Sequence, residues 1–270
     1  MNQINDRAGE HYWSSVWNAS DLPSAVDTSN TSLGNWINVR YHLAFSEVLK
    51  NIQTKGMRML EVGCGNSVWL PYFNTHFGMH TDGLDYSEVG CENSRRIFKR
   101  DGIDGTIYHA DMFAPPEHLV GQYDFVLSMG VIEHFSDTDA VVLALKKFLK
   151  PGGVLITSLP NHNGLLGWIV KTFNRPLFDI HYLVDVKHLR EGYEHNGIEV
   201  SYLDYVLCPS FFLNLDQNNG KLGLMWLRKL VAKLLAAFSL ALIFLDKNKI
   251  RLPVSRTISP AILAVGRVPS

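Results

Sequence analysis

The chain has 270 residues and a nearly balanced charge, with 25 Lys and Arg residues against 26 Asp and Glu residues, and its mean hydropathy is close to zero. A chain of this length can bury its own core, and its balanced charge provides no overall field to attract nucleic acid. The three cysteines, Cys64, Cys91 and Cys208, form no C-x-x-C pair, so we expect neither a disulfide framework nor a zinc knuckle. We expect a cytoplasmic location, because residues 1–13 have no apolar run behind a basic start.

The predicted elements begin with an amino-terminal cap, residues 1–56, which contains Trp13, Trp17 and a helix-like stretch over residues 36–51. From residue 57 onward, short apolar runs alternate with helical stretches, which is typical of βαβ units and a mostly parallel sheet. The expected strands are, in chain order, MRMLEV, HTDGLD, TIYHA, YDFVLS, GVLITS, IEVSYLDYV and AILAVGRV.

Helix signals fit between these strands. Ser87 is predicted to cap a helix that ends at Asp101-Gly102, and Asp137 or Thr138 to cap another that continues to Pro151-Gly152-Gly153. No repeat or low-complexity linker divides the chain, so we predict a single domain. Its expected parts are the cap (1–56), a core (57–160), lid or insertion elements (161–204 and 205–257) and a last strand (258–270).

A glycine-rich turn follows the first strand in the sequence Leu-Glu-Val-Gly-Cys-Gly-Asn-Ser, residues 60–67. Glycines at Gly63 and Gly65 would let a ligand approach the backbone closely. A dinucleotide fingerprint would place its third glycine at Val68, and no G-x-x-x-x-G-K-[ST] loop is present. An NAD-dependent oxidoreductase therefore remains only an alternative, and a P-loop enzyme is disfavoured.

The Glu61-x-Gly63-x-Gly65 motif resembles motif I of the class I S-adenosylmethionine-dependent methyltransferases. The later segments 159–168 and 181–200, with Gly197-Ile198 before the sixth strand, are similar in pattern to the ubiquinone-pathway O-methyltransferases. Asp85, Asp111-Met112, the run from Tyr123 to Phe135 and the LKPGGVLITSLPN segment follow in the order of the class I family. The resemblance implies an α/β fold with a seven-stranded, mostly parallel Rossmann-like sheet, helices on both faces and an antiparallel last strand. It also implies S-adenosyl-L-methionine as the cofactor.

The same resemblance implies roles for individual residues. Glu61 and the glycine loop would hold the methionine end of the cofactor, Asp85 the ribose hydroxyls, and Asp111 with Met112 the adenine. Arg40 would meet the cofactor carboxylate, for which a guanidinium is suited, although a solvated helix arginine is an equal alternative. The full set of expected cofactor-binding residues is Arg40, Glu61, Gly63, Cys64, Gly65, Asp85, Tyr86, Asp111, Met112 and Met129. Ser67 stands where a third glycine is often found, and its hydroxyl is a candidate donor to the cofactor.

His134, just past the fourth strand, is the candidate catalytic residue, because histidine titrates near neutral pH and a hydroxyl acceptor must lose a proton. The alternative is that Glu133 and His134 only form the start of a helix. The favoured function is methyl transfer to a hydroxyl oxygen of a small or lipid-linked acceptor in biosynthesis. N- or C-methylation and a non-catalytic binding module remain alternatives. The later histidines and aspartates give weak metal signals, and we expect no metal.

An apolar insertion covers residues 222–245, between the last two strands. Its uncharged part, residues 234–245, is too short to span a bilayer. Lys229 and Lys233 fall on one helical face, with Lys221 and Arg228 nearby and further basic residues up to Arg251. This pattern favours a helix lying at a membrane surface, and packing on the domain or a homodimer interface is the alternative.

Overall fold

The computed structural model of the chain describes residues 4–213, 222–250 and 252–270. Lys221 and Arg251 of the predicted basic stripe lie outside these ranges. Nine α-helices are seen in the described ranges: α1 Gly9–Ala19, α2 Trp36–Leu49, α3 Trp69–Phe77, α4 Glu88–Asp101, α5 Thr138–Lys146, α6 Leu165–Phe173, α7 Arg175–Asp179, α8 Val186–His195 and α9 Leu222–Lys247.

Seven strands form one sheet in the order β3-β2-β1-β4-β5-β7-β6. Their bounds are β1 Arg58–Val62, β2 His80–Asp85, β3 Ile107–His109, β4 Tyr123–Met129, β5 Leu149–Pro160, β6 Glu199–Val206 and β7 Ala261–Arg267. The pairings from β3 to β5 are parallel, and β7 lies antiparallel to both β5 and β6. The predicted fold class, including the antiparallel last strand, is confirmed.

Apolar side chains pack on both faces of the sheet. In β1, the neighbours Met59 and Leu60 are both fully buried and belong to different hydrophobic clusters, because successive side chains of a strand point to opposite faces. Phe45 of α2 and Phe73 of α3 pack in the cluster of Met59, whereas Leu145 of α5 packs in that of Leu60. Burial on both faces explains why these strands are continuous apolar runs in the sequence.

The cap predictions hold for α4 and α5. The Ser87 side chain accepts a hydrogen bond from the Gly90 amide, and α4 ends at Gly102, whose φ is 66°. Asp137, one of the two candidates, caps α5 through the Ala140 amide.

The predicted end of α5 is wrong. The helix ends at Lys146, and β5 already begins at Leu149, which pairs with Tyr123. The Pro151-Gly152-Gly153 segment therefore lies inside a strand, next to an irregularity in the β4–β5 register. A register irregularity at the start of a strand accommodates proline and glycine better than a regular ladder does.

Helix α9 forms within the predicted insertion and continues to Lys247. Among the described residues, none of the helices combines the length and the apolar character needed to cross a bilayer.

Candidate active site

A cavity of about 430 Å³ opens at the carboxyl ends of β1, β2 and β4, the edge where ligands bind in open α/β sheets. Its lining brings together Glu61, Gly63, Cys64, Asp85, Tyr86, Asp111, Met112, Met129 and His134 from the sequence-based set. Gly65 and Arg40 are not part of the lining. The predicted site residues therefore converge on one crevice, with these two exceptions.

The glycine loop has backbone geometry that side chains tolerate poorly. Gly63 has a φ of 76° and Gly65 a φ of 38°, in the left-handed region that favours glycine. A Cβ on Gly63 would overlap the Val131 side chain, and one on Gly65 would lie 2.5 Å from the Trp17 ring. Gly65 therefore does not line the cavity itself. Because it has no side chain, the indole of Trp17, which does line the cavity, can pack directly against the loop.

The Ser67 hydroxyl forms hydrogen bonds within the protein and is not free to donate to a cofactor. Its Oγ accepts hydrogen bonds from the amides of Trp69 and Leu70, each at 3.1 Å, at the start of α3. The same hydroxyl donates to the carboxyl group of Glu61. Burial raises the pKa of Glu61 to about 8, although the bond from Ser67 opposes this. Glu61 therefore carries its proton over most of the neutral pH range.

Asp85 braces the loop from the end of β2. One carboxylate oxygen accepts the Gly65 amide at 2.8 Å, and the other accepts the Ser87 amide at 2.8 Å. Burial raises the pKa of Asp85 to about 6, and the two backbone amides limit the rise. The group is therefore mostly ionised at pH 7, with lone pairs left for a diol or another donor in the cavity.

An amino-terminal segment covers the crevice, and its contacts were missed by the sequence analysis. The Asp6 backbone bridges to Phe135, and its carboxylate accepts the Tyr86 hydroxyl at 3.0 Å. Trp13 and Trp17 of α1 stack with ring centroids 5.3 Å apart and both line the cavity. The sequence could have indicated this shared surface, because Trp13 and Trp17 are four positions apart and therefore lie on one helical face.

Arg40 lies away from the cavity. Its Nε is 3.6 Å from Oδ2 of Asp246, and that same oxygen accepts the indole N–H of Trp36 at 2.7 Å. The structure thus uses Arg40 to join α2 to the carboxyl end of α9, and does not bring it to the predicted cofactor carboxylate.

His134 sits in a 3₁₀ turn, Ile132–His134, directly after β4. Its Nδ1 lies 2.9 Å from the Ile180 carbonyl, and because a carbonyl only accepts, the proton of the neutral ring is assigned to Nδ1. In this form Nε2 carries the lone pair, and it lies 3.9 Å from Oε1 of Glu133. Burial lowers the pKa of His134, and the carbonyl of Ile180 partly opposes the shift, so the ring is neutral at pH 7.

A buried group of titratable side chains surrounds this ring. Ligand atoms of Glu133, His134 and His181 lie within 4.8 Å of one another, and the His162 ring is 4.4 Å from that of His181. Burial raises the pKa of Glu133 to about 8 and lowers that of His181 to about 3, so these groups are largely uncharged near pH 7. The absence of a metal stays a prediction.

His188 and His195 on α8 do not join this group. His188 lies 2.7 Å from Asp185 in the capping box of α8, and His195 lies 2.7 Å from Asp139.

A family model described as a methyltransferase domain matches residues 36–201, which include the glycine loop, Asp85 and the His134 turn. The chain belongs to the methyltransferase domain family. It is a member of the class I S-adenosylmethionine-dependent methyltransferases, as the motif order indicated, and S-adenosylmethionine is the cofactor of that class.

Two curated relatives of this methyltransferase are named ubiquinone biosynthesis O-methyltransferase. The protein of Dinoroseobacter shibae is 34% identical over 112 residues, covering 40% of this chain and 43% of the relative. That of Psychrobacter cryohalolentis is 29% identical over 169 residues, covering 60% and 63%. The matched part of the chain thus spans about half the length of these relatives.

Among solved structures, a geranyl diphosphate C-methyltransferase from Streptomyces coelicolor A3(2), in complex with Mg²⁺, geranyl diphosphate and S-adenosyl-L-homocysteine, superimposes with a TM-score of 0.58. It is 15% identical, and the match covers 96% of this chain and 97% of the other. At this identity the likeness shows the fold alone.

The residues of the crevice fit the cofactor. Gly63, Cys64 and Asn66 of the glycine loop line the cavity, and the mostly ionised carboxylate of Asp85 stands at the end of β2. Asn66 Oδ1 and Trp17 Nε1 are buried without a hydrogen-bond partner among the described residues. Both side chains line the cavity, and buried polar atoms of this kind are satisfied when a polar ligand is present.

Proposed function

We propose that this methyltransferase acts on a hydroxyl oxygen of a small or lipid-associated acceptor in a biosynthetic pathway. The observation that carries the proposal is the neutral His134 ring, whose Nδ1 is held by the Ile180 carbonyl while the side chain lines the cavity. A hydroxyl is a poor nucleophile until it loses its proton, and a neutral imidazole can accept that proton. The names of the two curated relatives also support oxygen as the acceptor atom.

S-adenosylmethionine supplies an activated methyl group on a positively charged sulfur. The chain's own residues bind and orient. We assign Asp85 to the ribose hydroxyls, Glu61 and the Gly63–Gly65 loop to the methionine end, and Asp111 with Met112 to the adenine. Cys64, Tyr86 and Met129 complete the walls of the cavity. Arg40 is not included, because its guanidinium faces Asp246.

The protein prepares the acceptor side by holding His134 and excluding water. The Trp13 ring meets the His134 ring edge-on, with centroids 5.1 Å apart, and the Arg7 amide bonds the His134 carbonyl at 3.0 Å. Alignment of the acceptor oxygen with the methyl group contributes much of the acceleration in such a displacement. His134 holds the proton on Nε2 until it is released to solvent.

The experiment that tests the acceptor atom uses cofactor with a carbon-13 methyl group and two matched acceptors. One is a phenol with an isoprenoid tail, and the other is the corresponding aniline. Carbon NMR distinguishes a methyl carbon on oxygen from one on nitrogen or carbon. We expect labelled methyl ether from the phenol, and a label found only on nitrogen or carbon would contradict the proposal.

A lipid-associated acceptor would be met at a membrane, so the same proposal places the protein on the cytoplasmic side with peripheral membrane contact. The apolar helix α9 supports this location, because many of its large side chains face solvent.

A further inference from the structure

One face of α9 presents large apolar side chains to solvent. Trp226 is 65% exposed, Leu234 61% and Phe244 55%. At 100° per residue, these three side chains fall within an arc of about 80° around the helix axis. Leu230 and Phe238 lie in or next to this arc and are also exposed. We call these five residues the α9 apolar face.

The opposite side of α9 fixes the helix to the domain. The Ser239 hydroxyl accepts the Phe211 amide at 2.7 Å, and Ile243 is fully buried. Asp246 bonds Trp36 and lies against Arg40. The apolar face is therefore held outward by contacts on the other side of the helix, and it does not result from a helix detached from the domain.

The exposed charged side chains of α9 are all basic. Asp246 is the sole acid in residues 222–247, and its side chain is only 6% exposed because it faces Trp36 and Arg40. Lys229 and Lys233 are exposed and border one side of the apolar face at helical spacing. The solvent-facing side of this helix therefore combines apolar area with positive charge and carries no acid.

The topology places the start of the segment that carries α9 at the same edge of the sheet as the cavity. β6 runs parallel to β5, because each is antiparallel to β7, so the carboxyl end of β6 lies at the same edge of the sheet as the cavity. The segment containing α9 leaves the sheet there and returns to it at Ala261, the start of β7. Helix α6, with Trp168 61% exposed, also follows a strand at this edge.

We propose that the α9 apolar face docks on the surface of a bilayer containing anionic phospholipid, with the helix lying in the plane of the interface. An exposed apolar stripe bordered by lysine is the arrangement that such surfaces bind, with the rings and leucines entering the acyl boundary and the lysines meeting the headgroups. A second copy of the chain fits less well, because the exposed side of α9 carries no acid that could pair with the lysines of the other copy. Docking holds the domain at the membrane, and the advantage of that location rests on the proposed function, in which the acceptor is lipid-associated.

The test is flotation of the whole chain with vesicles of phosphatidylcholine alone and of an equal mixture of phosphatidylcholine and phosphatidylglycerol. We expect flotation with the mixed vesicles and much less with phosphatidylcholine alone. The triple variant Trp226→Ser, Leu234→Ser, Phe244→Ser should remain in the bottom fraction. Leu143→Ser, which changes an exposed leucine on α5, is the matched control and should float like the unchanged protein.

The lysine contribution is tested separately. Lys229→Glu with Lys233→Glu should weaken affinity for the mixed vesicles by at least roughly 30-fold, the loss expected from two lysines near an anionic surface. The control pair Lys50→Glu with Lys99→Glu changes exposed lysines elsewhere and should have little effect.

Three outcomes would overturn the proposal: no flotation of the unchanged protein, equal flotation of the triple variant, or a dimer in light scattering that the triple variant abolishes while vesicles are ignored. The last result would assign the face to a second copy. Methyl transfer to the phenol acceptor, measured by carbon NMR on every variant without vesicles, reports the proposed function independently of docking, so the failure of one is distinguishable from the failure of the other.

Discussion

The indole of Trp17 occupies the space directly over Gly65, so that a Cβ on this glycine would lie 2.5 Å from the ring. The amino-terminal helix and the glycine loop thus pack against each other, although Trp17 and Gly65 are 48 positions apart in the sequence. The two residues depend on each other, because the indole covers the loop and can approach it this closely only where the loop has a glycine.

Gly65→Ala is expected to disturb this fit and weaken cofactor binding by at least about tenfold, equivalent to about 1.4 kcal/mol. The measurement is isothermal titration with S-adenosylhomocysteine. Gly102→Ala is the matched control, because its φ is also positive but nothing lies within 4 Å of the added Cβ. It should cost only about 1–2 kcal/mol of stability and leave binding intact. Equal binding by both variants would show that the Trp17 contact is unimportant.

Asp85→Asn should lower cofactor affinity by about 10- to 100-fold, since hydrogen bonds to a charged group contribute about 1.5–3 kcal/mol. The substitution removes the negative charge that holds the Gly65 amide. The thermal shift caused by S-adenosylhomocysteine should shrink accordingly, whereas Asp104→Asn, in an exposed loop, should preserve it. NAD should shift neither protein. A full shift with Asp85→Asn would remove this residue from the cofactor site.

His134→Gln is expected to reduce kcat by roughly 10²- to 10⁴-fold, the usual contribution of a positioned general base. Cofactor affinity should change little, because the ring serves the acceptor. His188→Gln is the control, since His188 only completes the capping box of α8, and its turnover should stay near that of the unchanged enzyme. If the two variants had the same kcat, His134 would have no catalytic role.

Glu133→Gln should change how stability depends on pH. Burial raises the pKa of Glu133 to about 8 from an ordinary value of 4.5, so the folded state holds a proton that the unfolded chain has lost. Stability of the unchanged protein therefore falls as pH rises from 4.5 to 8, by at most about 1.4 kcal/mol per pH unit from this group. The glutamine side chain does not titrate, so the variant does not lose this stability as the pH rises from 4.5 to 8.

Urea unfolding at several pH values measures the effect. The variant should gain stability over the unchanged protein steadily from pH 5 to pH 8, with little difference below pH 4.5. Glu199→Gln, on an exposed position of β6, is the control and should follow the unchanged protein. Parallel curves for the unchanged protein and Glu133→Gln would contradict the assignment of a buried, protonated carboxyl.

The strands, the glycine loop and many of the residues that line the cavity could be predicted because they depend on neighbouring residues. The cap at Ser87, the stop at Gly102 and the strand ending at Asp85 are of this kind. The position of Arg40 could not be predicted in this way, since its partner Asp246 is 206 positions away. The early start of β5 was missed for a similar reason, because Leu149 joins the ladder by pairing with Tyr123.

The position of β7 inside the sheet has a consequence for synthesis of the protein. β6 pairs with β7 and with no other described strand, and β7 also covers the outer side of β5. During translation, residues 199–206 therefore emerge with no strand to pair with until residues 261–267 have followed them. We expect an exposed β6 and an incomplete core throughout that interval, when α9 with its apolar face is also newly made, so chaperone binding should concentrate there.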